Sequence, residues 1–119
     1  MKSKSIGFIG GGRITRIFLQ GLSNKKALPE SVKVFEPNVE TLKALSADFP
    51  EIIAADSAAG AAGQELVFIA VHPPMVMETL QAIKESVTEE TTVISLAPKI
   101  TLEKMASVLS TKKLARMIP

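Results

Sequence analysis

A doubly wound parallel α/β sheet of about six strands is the fold class this sequence predicts. Three observations carry that expectation. Apolar strand-like runs alternate with helical stretches along the chain, the pattern of strand–helix–strand units joined by right-handed crossovers. At the N-terminus the run Ile6-Gly7-Phe8-Ile9 passes straight into Gly10-Gly11-Gly12. A helical pattern follows, with Ile14, Ile17, Phe18, Gly21 and Leu22 at helical spacing. Further on, Leu66-Val67-Phe68-Ile69-Ala70-Val71 is continuously apolar, as expected of a parallel strand buried on both faces.

The elements follow in order. Ser5–Ile9 reads as the first strand and Arg13–Ser23 as the first helix, with a loop to Ser31 that holds Pro29. Val32–Phe35 is a second strand ending at Glu36. Pro37-Asn38 turns the chain, and Asn38 is placed to cap a helix over Val39–Phe49. Ile52–Ala54 is a short third strand. Asp56 or Ser57 caps a brief alanine-rich helix that ends near Gly63, with Asp56 favoured. Leu66–Val71 is the fourth strand. His72-Pro73-Pro74 interrupts the pattern before a helix over about Met75–Val87, in which Met75 and Met77 are expected to pack. Thr92–Leu96 is the fifth strand, broken by Ala97-Pro98-Lys99. Thr101 caps a helix to about Leu109, and Leu114–Ile118 is the sixth strand.

A strand, a glycine turn and a helix in this order form the opening unit of a Rossmann-type dinucleotide-binding fold. Gly10, Gly11, Gly12, Arg13 and Ile14 are therefore expected to hold a pyrophosphate, because glycine lets it approach the backbone and the helix start offers free N–H groups. Thr15 stands where a third glycine is expected; its hydroxyl is available to a phosphate or to a backbone group in the first turn. The cofactor is expected to be NAD or NADP. Glu36, ending the second strand, suits the adenosine ribose hydroxyls and favours NAD. The planar donors of Arg13 suit a phosphate. In open α/β sheets the ligand crevice lies beyond the carboxyl ends of the strands. Val71, His72, Pro73 and Ala97, which close the fourth and fifth strands, are expected on its far side, with Lys99 beside them.

Composition narrows the function classes. The chain of 119 residues suits one domain, and 46% hydrophobic with 22% charged residues is ordinary for a globular one. A net charge of +2 with no basic stripe gives no footprint for nucleic acid. There is no cysteine and a single histidine, His72, which excludes thiol chemistry, disulfides and a multi-histidine metal site. No apolar run is long enough to span a membrane, and the basic start Met1–Lys4 is followed by too short a run for a signal peptide, so a cytoplasmic location is expected.

Four segments, in order and over the whole length, resemble the N-terminal half of pyrroline-5-carboxylate reductase. They are Gly7-Phe8-Ile9-Gly10-Gly11-Gly12-Arg13-Ile14, Val67–Pro73, Val93–Thr101 and Ala115–Pro119. The resemblance implies reduction of a cyclic imine to proline with NADPH or NADH. It also implies a helical substrate and dimerisation domain that this chain lacks, so residues 1–119 look like a dinucleotide-binding domain, inactive by itself, of a homo-oligomeric enzyme acting on a small molecule. Three positions depart from the family pattern: Arg13-Ile14 replaces Asn-Met, His72 replaces lysine, and Pro98-Lys99 replaces Ala-Gly. These loops face the reacting end of the cofactor, so they bear on the substrate. Prephenate dehydrogenases and deazaflavin-dependent NADP reductases share much of the first motif. A dehydrogenase of another small carboxylated substrate, and an NAD(H)-sensing module without catalysis, remain as alternatives. No catalytic residue is assigned; an acid role and a structural role both stay open for His72.

Overall fold

The computed structural model describes residues 5–25, 31–71, 73–96 and 101–116. Six strands, β1 (Ser5–Ile9), β2 (Ser31–Phe35), β3 (Ile53–Ala54), β4 (Leu66–Ile69), β5 (Thr92–Ser95) and β6 (Leu114–Arg116), form one sheet in the order β3-β2-β1-β4-β5-β6. Every neighbouring pair is parallel. The helices are α1 (Arg13–Asn24), α2 (Val39–Asp48), α3 (Ala58–Ala62), α4 (Val76–Ile83) and α5 (Leu102–Val108). The chain winds outward from β1 through β2 to β3, returns through α3, and winds the other way through β4, β5 and β6. The reversal falls between β1 and β4. This is a Rossmann-like α/β fold, as expected.

The strands alternate their side chains between two buried cores. Ile6, Phe8, Val32, Val34 and Phe68 join Leu19 of α1 and Leu45 of α2. Ile9, Val67, Ile69 and Val93 join Ala61 and Ala62 of α3, Leu80 of α4 and Met105 of α5. Each helix thus covers a sheet face with an apolar stripe, and burial of those stripes drives their assembly. Three phenylalanines fasten α1 to the sheet. Phe8 stacks on Phe68 at 5.0 Å between ring centroids, and Phe18 of α1 tilts against Phe68 at 5.1 Å. Arg16 ties α1 to α2 through an ion pair with Asp48, and its guanidinium lies 5.9 Å from the centre of the Phe49 ring.

Several boundaries differ from the sequence expectation, for identifiable reasons. The strand expected to reach Val71 ends at Ile69. Ala70 still donates its N–H to the Ile9 carbonyl at 2.8 Å, but the chain then bends. The helix expected over Met75–Val87 opens instead as a 3-10 turn, Pro73–Met75, and is α-helical only from Val76 to Ile83. Pro74 disfavours the α conformation at the residue before it, so the chain enters through a tighter turn. At the other end Ser86 and Val87 both donate to the Ile83 carbonyl, a closing turn. Ser57, not Asp56, caps α3, its hydroxyl accepting from the Gly60 N–H at 3.0 Å. Asn38 and Thr101 cap α2 and α5 as expected, accepting from Thr41 and Lys104. Met117 and Ile118, where the sixth strand is expected to end, lie outside the described residues.

Close packing of α3 on β1 depends on Gly7. A β-carbon there would stand 1.9 Å from the Ala61 carbonyl oxygen, so backbone meets backbone. Gly60, inside α3, is different, since a β-carbon there would make only ordinary contacts, the nearest at 3.4 Å from the Ser57 hydroxyl. Gly7→Ala is therefore expected to destabilise the chain by about 1–3 kcal/mol or more. Gly60→Ala is expected to be neutral or to stabilise by up to about 1 kcal/mol, because glycine is a poor helix former. Urea unfolding of the two variants checks both signs. A Gly7→Ala change below about 0.5 kcal/mol, the usual range for exposed substitutions, would contradict the packing described.

Candidate functional site

After β1 and β4 the chain turns to opposite sides of the sheet, and at this reversal lies an open cleft of about 440 Å³. Gly10 shapes its floor. Its φ of 105° is a left-handed conformation that side chains disfavour, and a β-carbon would stand 2.4 Å from the Ala70 carbonyl oxygen. The Gly10 N–H donates to the Phe35 carbonyl at 2.8 Å, joining β1 to β2 just past both strands. The Thr15 hydroxyl donates to the Gly10 carbonyl at 2.5 Å. Of the two partners open to Thr15 in the sequence, the backbone group is the one observed, and Thr15 is fully buried. The larger residue at the third glycine position is thus accommodated as a hydrogen-bonded strut between α1 and the turn.

The start of α1 is left unsatisfied. Gly12 is its N-cap, with no side chain to accept the first N–H groups and no acidic residue in the first turn. By contrast α2 and α5 each have a side-chain cap and a first-turn glutamate, Glu40 and Glu103. Free N–H groups and the positive end of a helix dipole attract anions. Around Gly12 the space is open, with no atom within 4 Å of where a β-carbon would stand. Arg13 lines the cleft beside it and, among the described residues, has no ion pair or hydrogen bond. Its charge is available to whatever enters.

Glu36 closes the opposite side. One carboxylate oxygen accepts the Gly11 N–H at 2.8 Å and the other accepts the Asn38 N–H at 2.9 Å. The carboxylate thereby fixes the glycine turn to the loop after β2. A carboxylate has about four acceptor positions, so about two remain for a ligand. Toward β4 and β5 the wall is apolar, formed by Ala70, Val71, Met75 and Leu96.

Six expected site residues line this one cleft: Gly10, Gly12, Arg13, Ile14, Glu36 and Val71. Gly11 does not. It is buried behind the turn, and a β-carbon on it would stand 3.0 Å from the Glu36 β-carbon. His72, Ala97 and Lys99 lie outside the described residues, and Pro73 opens the 3-10 turn after β4. Met75, expected to pack, is 46% exposed at the cleft, because the 3-10 turn lifts it out of the helical stripe; Met77 packs on the core as expected. The sequence reading missed Phe35, Pro37, Ala70, Thr79 and Leu96. Ala70 and Leu96 were within reach of the rule that ligands sit beyond strand carboxyl ends. Thr79 carried a signal of its own, a polar residue on the stripe that also holds Val76, Leu80 and Ile83. Among the described residues no cluster of three metal-ligating side chains occurs, and no helix is long and apolar enough to cross a membrane.

If Glu36 holds the turn as described, Glu36→Ala should free the Gly11 and Asn38 amides. Hydrogen bonds to a charged acceptor contribute about 1.5–3 kcal/mol, so exchange at Gly11 should quicken roughly ten- to hundredfold. The Val67 amide in the sheet centre serves as the reference. Unchanged exchange at Gly11, measured by NMR, would remove Glu36 from this role.

Comparison with known proteins agrees with this architecture. The family model described as NADP oxidoreductase, coenzyme F420-dependent, matches residues 5–99. A pyrroline-5-carboxylate reductase of Escherichia coli is 34% identical over 119 residues, covering 98% of this chain and 44% of the relative. Among solved structures, a pyrroline-5-carboxylate reductase from Coxiella burnetii superposes with a TM-score of 0.86 at 24% identity, over 100% of this chain and 44% of the other. A Plasmodium falciparum pyrroline carboxylate reductase with NADP bound superposes at 0.75 and 17% identity, over 94% and 40%. The chain therefore spans less than half the length of the relatives it matches. With the model match reaching from the first strand past the fifth, the chain belongs to the family of coenzyme F420-dependent NADP oxidoreductases.

Proposed function

We propose that this chain is the dinucleotide-binding domain of an NAD(P)H-dependent reductase that acts on pyrroline-5-carboxylate, a cyclic imine. The observation that carries the reading is the uncapped start of α1 beside the open Gly12 and the unpaired Arg13, at the point where the sheet order reverses. Positive potential, exposed N–H groups and absent side chains meet there, and a pyrophosphate needs all three. The similarity to a pyrroline-5-carboxylate reductase over 98% of this chain and 44% of the relative supports this substrate.

In this reading Gly10 and Gly12 let the pyrophosphate approach the backbone, the first turn of α1 donates to it, and Arg13 balances its charge. Glu36 orients the adenosine ribose through the acceptor positions left free by Gly11 and Asn38. Ala70, Val71, Met75 and Leu96 present an apolar surface to the other end of the cofactor, which keeps water from the reacting face. The bound dinucleotide supplies the hydride, and the chain supplies position and electrostatics. The imine must be enclosed by residues beyond this domain, since the cleft is open on one side. As the resemblance to pyrroline-5-carboxylate reductase implies, a second, helical domain would provide that enclosure in a cytoplasmic homo-oligomer, and residues 1–119 by themselves would bind cofactor without appreciable turnover.

Gly12→Val tests the pyrophosphate position with little strain on the fold, because a β-carbon at Gly12 meets open space. NADH affinity should fall at least about tenfold, roughly 1.4 kcal/mol, by calorimetry. Unchanged affinity in a folded variant would exclude the glycine turn as the phosphate site.

The Glu36 carboxylate should also set preference. It stands where a 2′-phosphate would be repelled, and a like-charge contact costs several kcal/mol when desolvated. NADH should therefore bind more tightly than NADPH, and Glu36→Gln should narrow the gap. Tighter NADPH binding by the unaltered chain would assign Arg13 as the phosphate reader and end the role given to Glu36.

A further inference from the structure

The inner stripe of α4 is apolar except at one place. Val76, Leu80 and Ile83 are fully buried, and Thr79 on the same stripe is 8% exposed. A hydroxyl at such a position costs stability unless it finds a partner, and a helical threonine commonly finds one in the carbonyl three or four residues earlier. The Thr79 hydroxyl makes no hydrogen bond with any described residue. Yet no buried side-chain polar atom among the described residues lacks a partner, so the Thr79 hydroxyl must be open to solvent. The cleft is the opening that Thr79 lines, and it is the only side-chain hydroxyl among the described residues lining it.

Position within the cleft fixes what this hydroxyl can meet. Glu36 and Pro37 stand at the β2 side, where the adenosine belongs. Thr79 stands with Val71, Met75 and Leu96 at the β4–β5 side. We propose that Thr79 is a positioning residue for the half of the dinucleotide remote from the adenosine, its hydroxyl forming a hydrogen bond with a ribose hydroxyl or the carboxamide of that half. On a wall that is otherwise apolar, a single polar group fixes the orientation of a flat ring that packing alone would leave free to turn over. This rests on the dinucleotide reading above and adds to it a residue and a contact.

The test compares ADP, ADP-ribose and NADH as ligands for the unaltered chain, Thr79→Val and Thr79→Ser, by calorimetry. Valine keeps the volume and removes the hydroxyl; serine restores the hydroxyl. Thr79→Val should bind ADP within about twofold of the unaltered chain and NADH about three- to tenfold more weakly, the range for one neutral hydrogen bond. Thr79→Ser should recover most of the NADH affinity. A loss already present with ADP-ribose identifies the ribose hydroxyl as partner; a loss confined to NADH identifies the carboxamide. NADH binding that is unchanged in Thr79→Val, or an equal loss for ADP, overturns the assignment. If the unaltered chain binds neither ADP nor NADH, the dinucleotide reading falls with it. A thermal midpoint for each variant separates binding loss from unfolding.

Discussion

Gly10 is the residue on which the rest of this structure depends. Its N–H holds the end of β2, its carbonyl holds the Thr15 hydroxyl of α1, and its bare α-carbon lies against the Ala70 carbonyl at the end of β4. Two strands and one helix thus converge on β1 at a residue whose φ of 105° only glycine adopts readily. Any side chain would push β4 away from the turn or force the backbone out of its left-handed conformation. The cleft lies directly above this junction, so its floor inherits the rigidity of the sheet. Sites held by regular elements are positioned more accurately than sites held by free loops.

From that junction the chemistry divides along the sheet. On the β2 side stand the polar and charged groups, the exposed N–H groups at the start of α1, the unpaired Arg13 and the Glu36 carboxylate, beside Ile14, Phe35 and Pro37. On the β4–β5 side the wall is apolar, with Thr79 as its exception. A ligand that is charged in the middle, hydroxylated at one end and flat at the other suits this arrangement. The polar side owes its character to what is missing. α1 has no side-chain cap and no acidic first-turn residue, although α2 and α5 have both. An uncapped helix start forgoes about 1 kcal/mol of capping energy, and a ligand anion can restore it.

Much of this was legible in the sequence because it follows from local chemistry. The alternation of apolar runs and helical stretches foretold six parallel strands. The three glycines between a strand and a helix foretold the turn, and Asn38 and Thr101 announced their helices. What escaped notice depended on tertiary context. The sequence left two partners open to the Thr15 hydroxyl, a phosphate or a backbone group, and only the helix orientation selects the Gly10 carbonyl. Gly7 looked like part of an ordinary buried strand; its role appears only when the Ala61 carbonyl is seen against it. Two prolines converted the start of α4 into a 3-10 turn, and that shift carried Met75 out of the core to the cleft rim. Glu36 was read as a ribose acceptor, and the structure adds that it first anchors the turn. Periodicity reports faces, whereas these features depend on distances between elements remote in sequence.

The central claim is that a dinucleotide lies across the junction of β1 and β4, its pyrophosphate over the start of α1. Amide shift mapping of the labelled chain during titration with NADH tests this most directly. The account predicts that the largest perturbations fall on Gly10 to Ile14, with further changes at Glu36, Val71 and Thr79. The shallow depression between α5 and β6, around Ala106 and Lys112, should stay unperturbed. Saturable perturbations confined to that second depression, with the glycine turn unmoved, would contradict it.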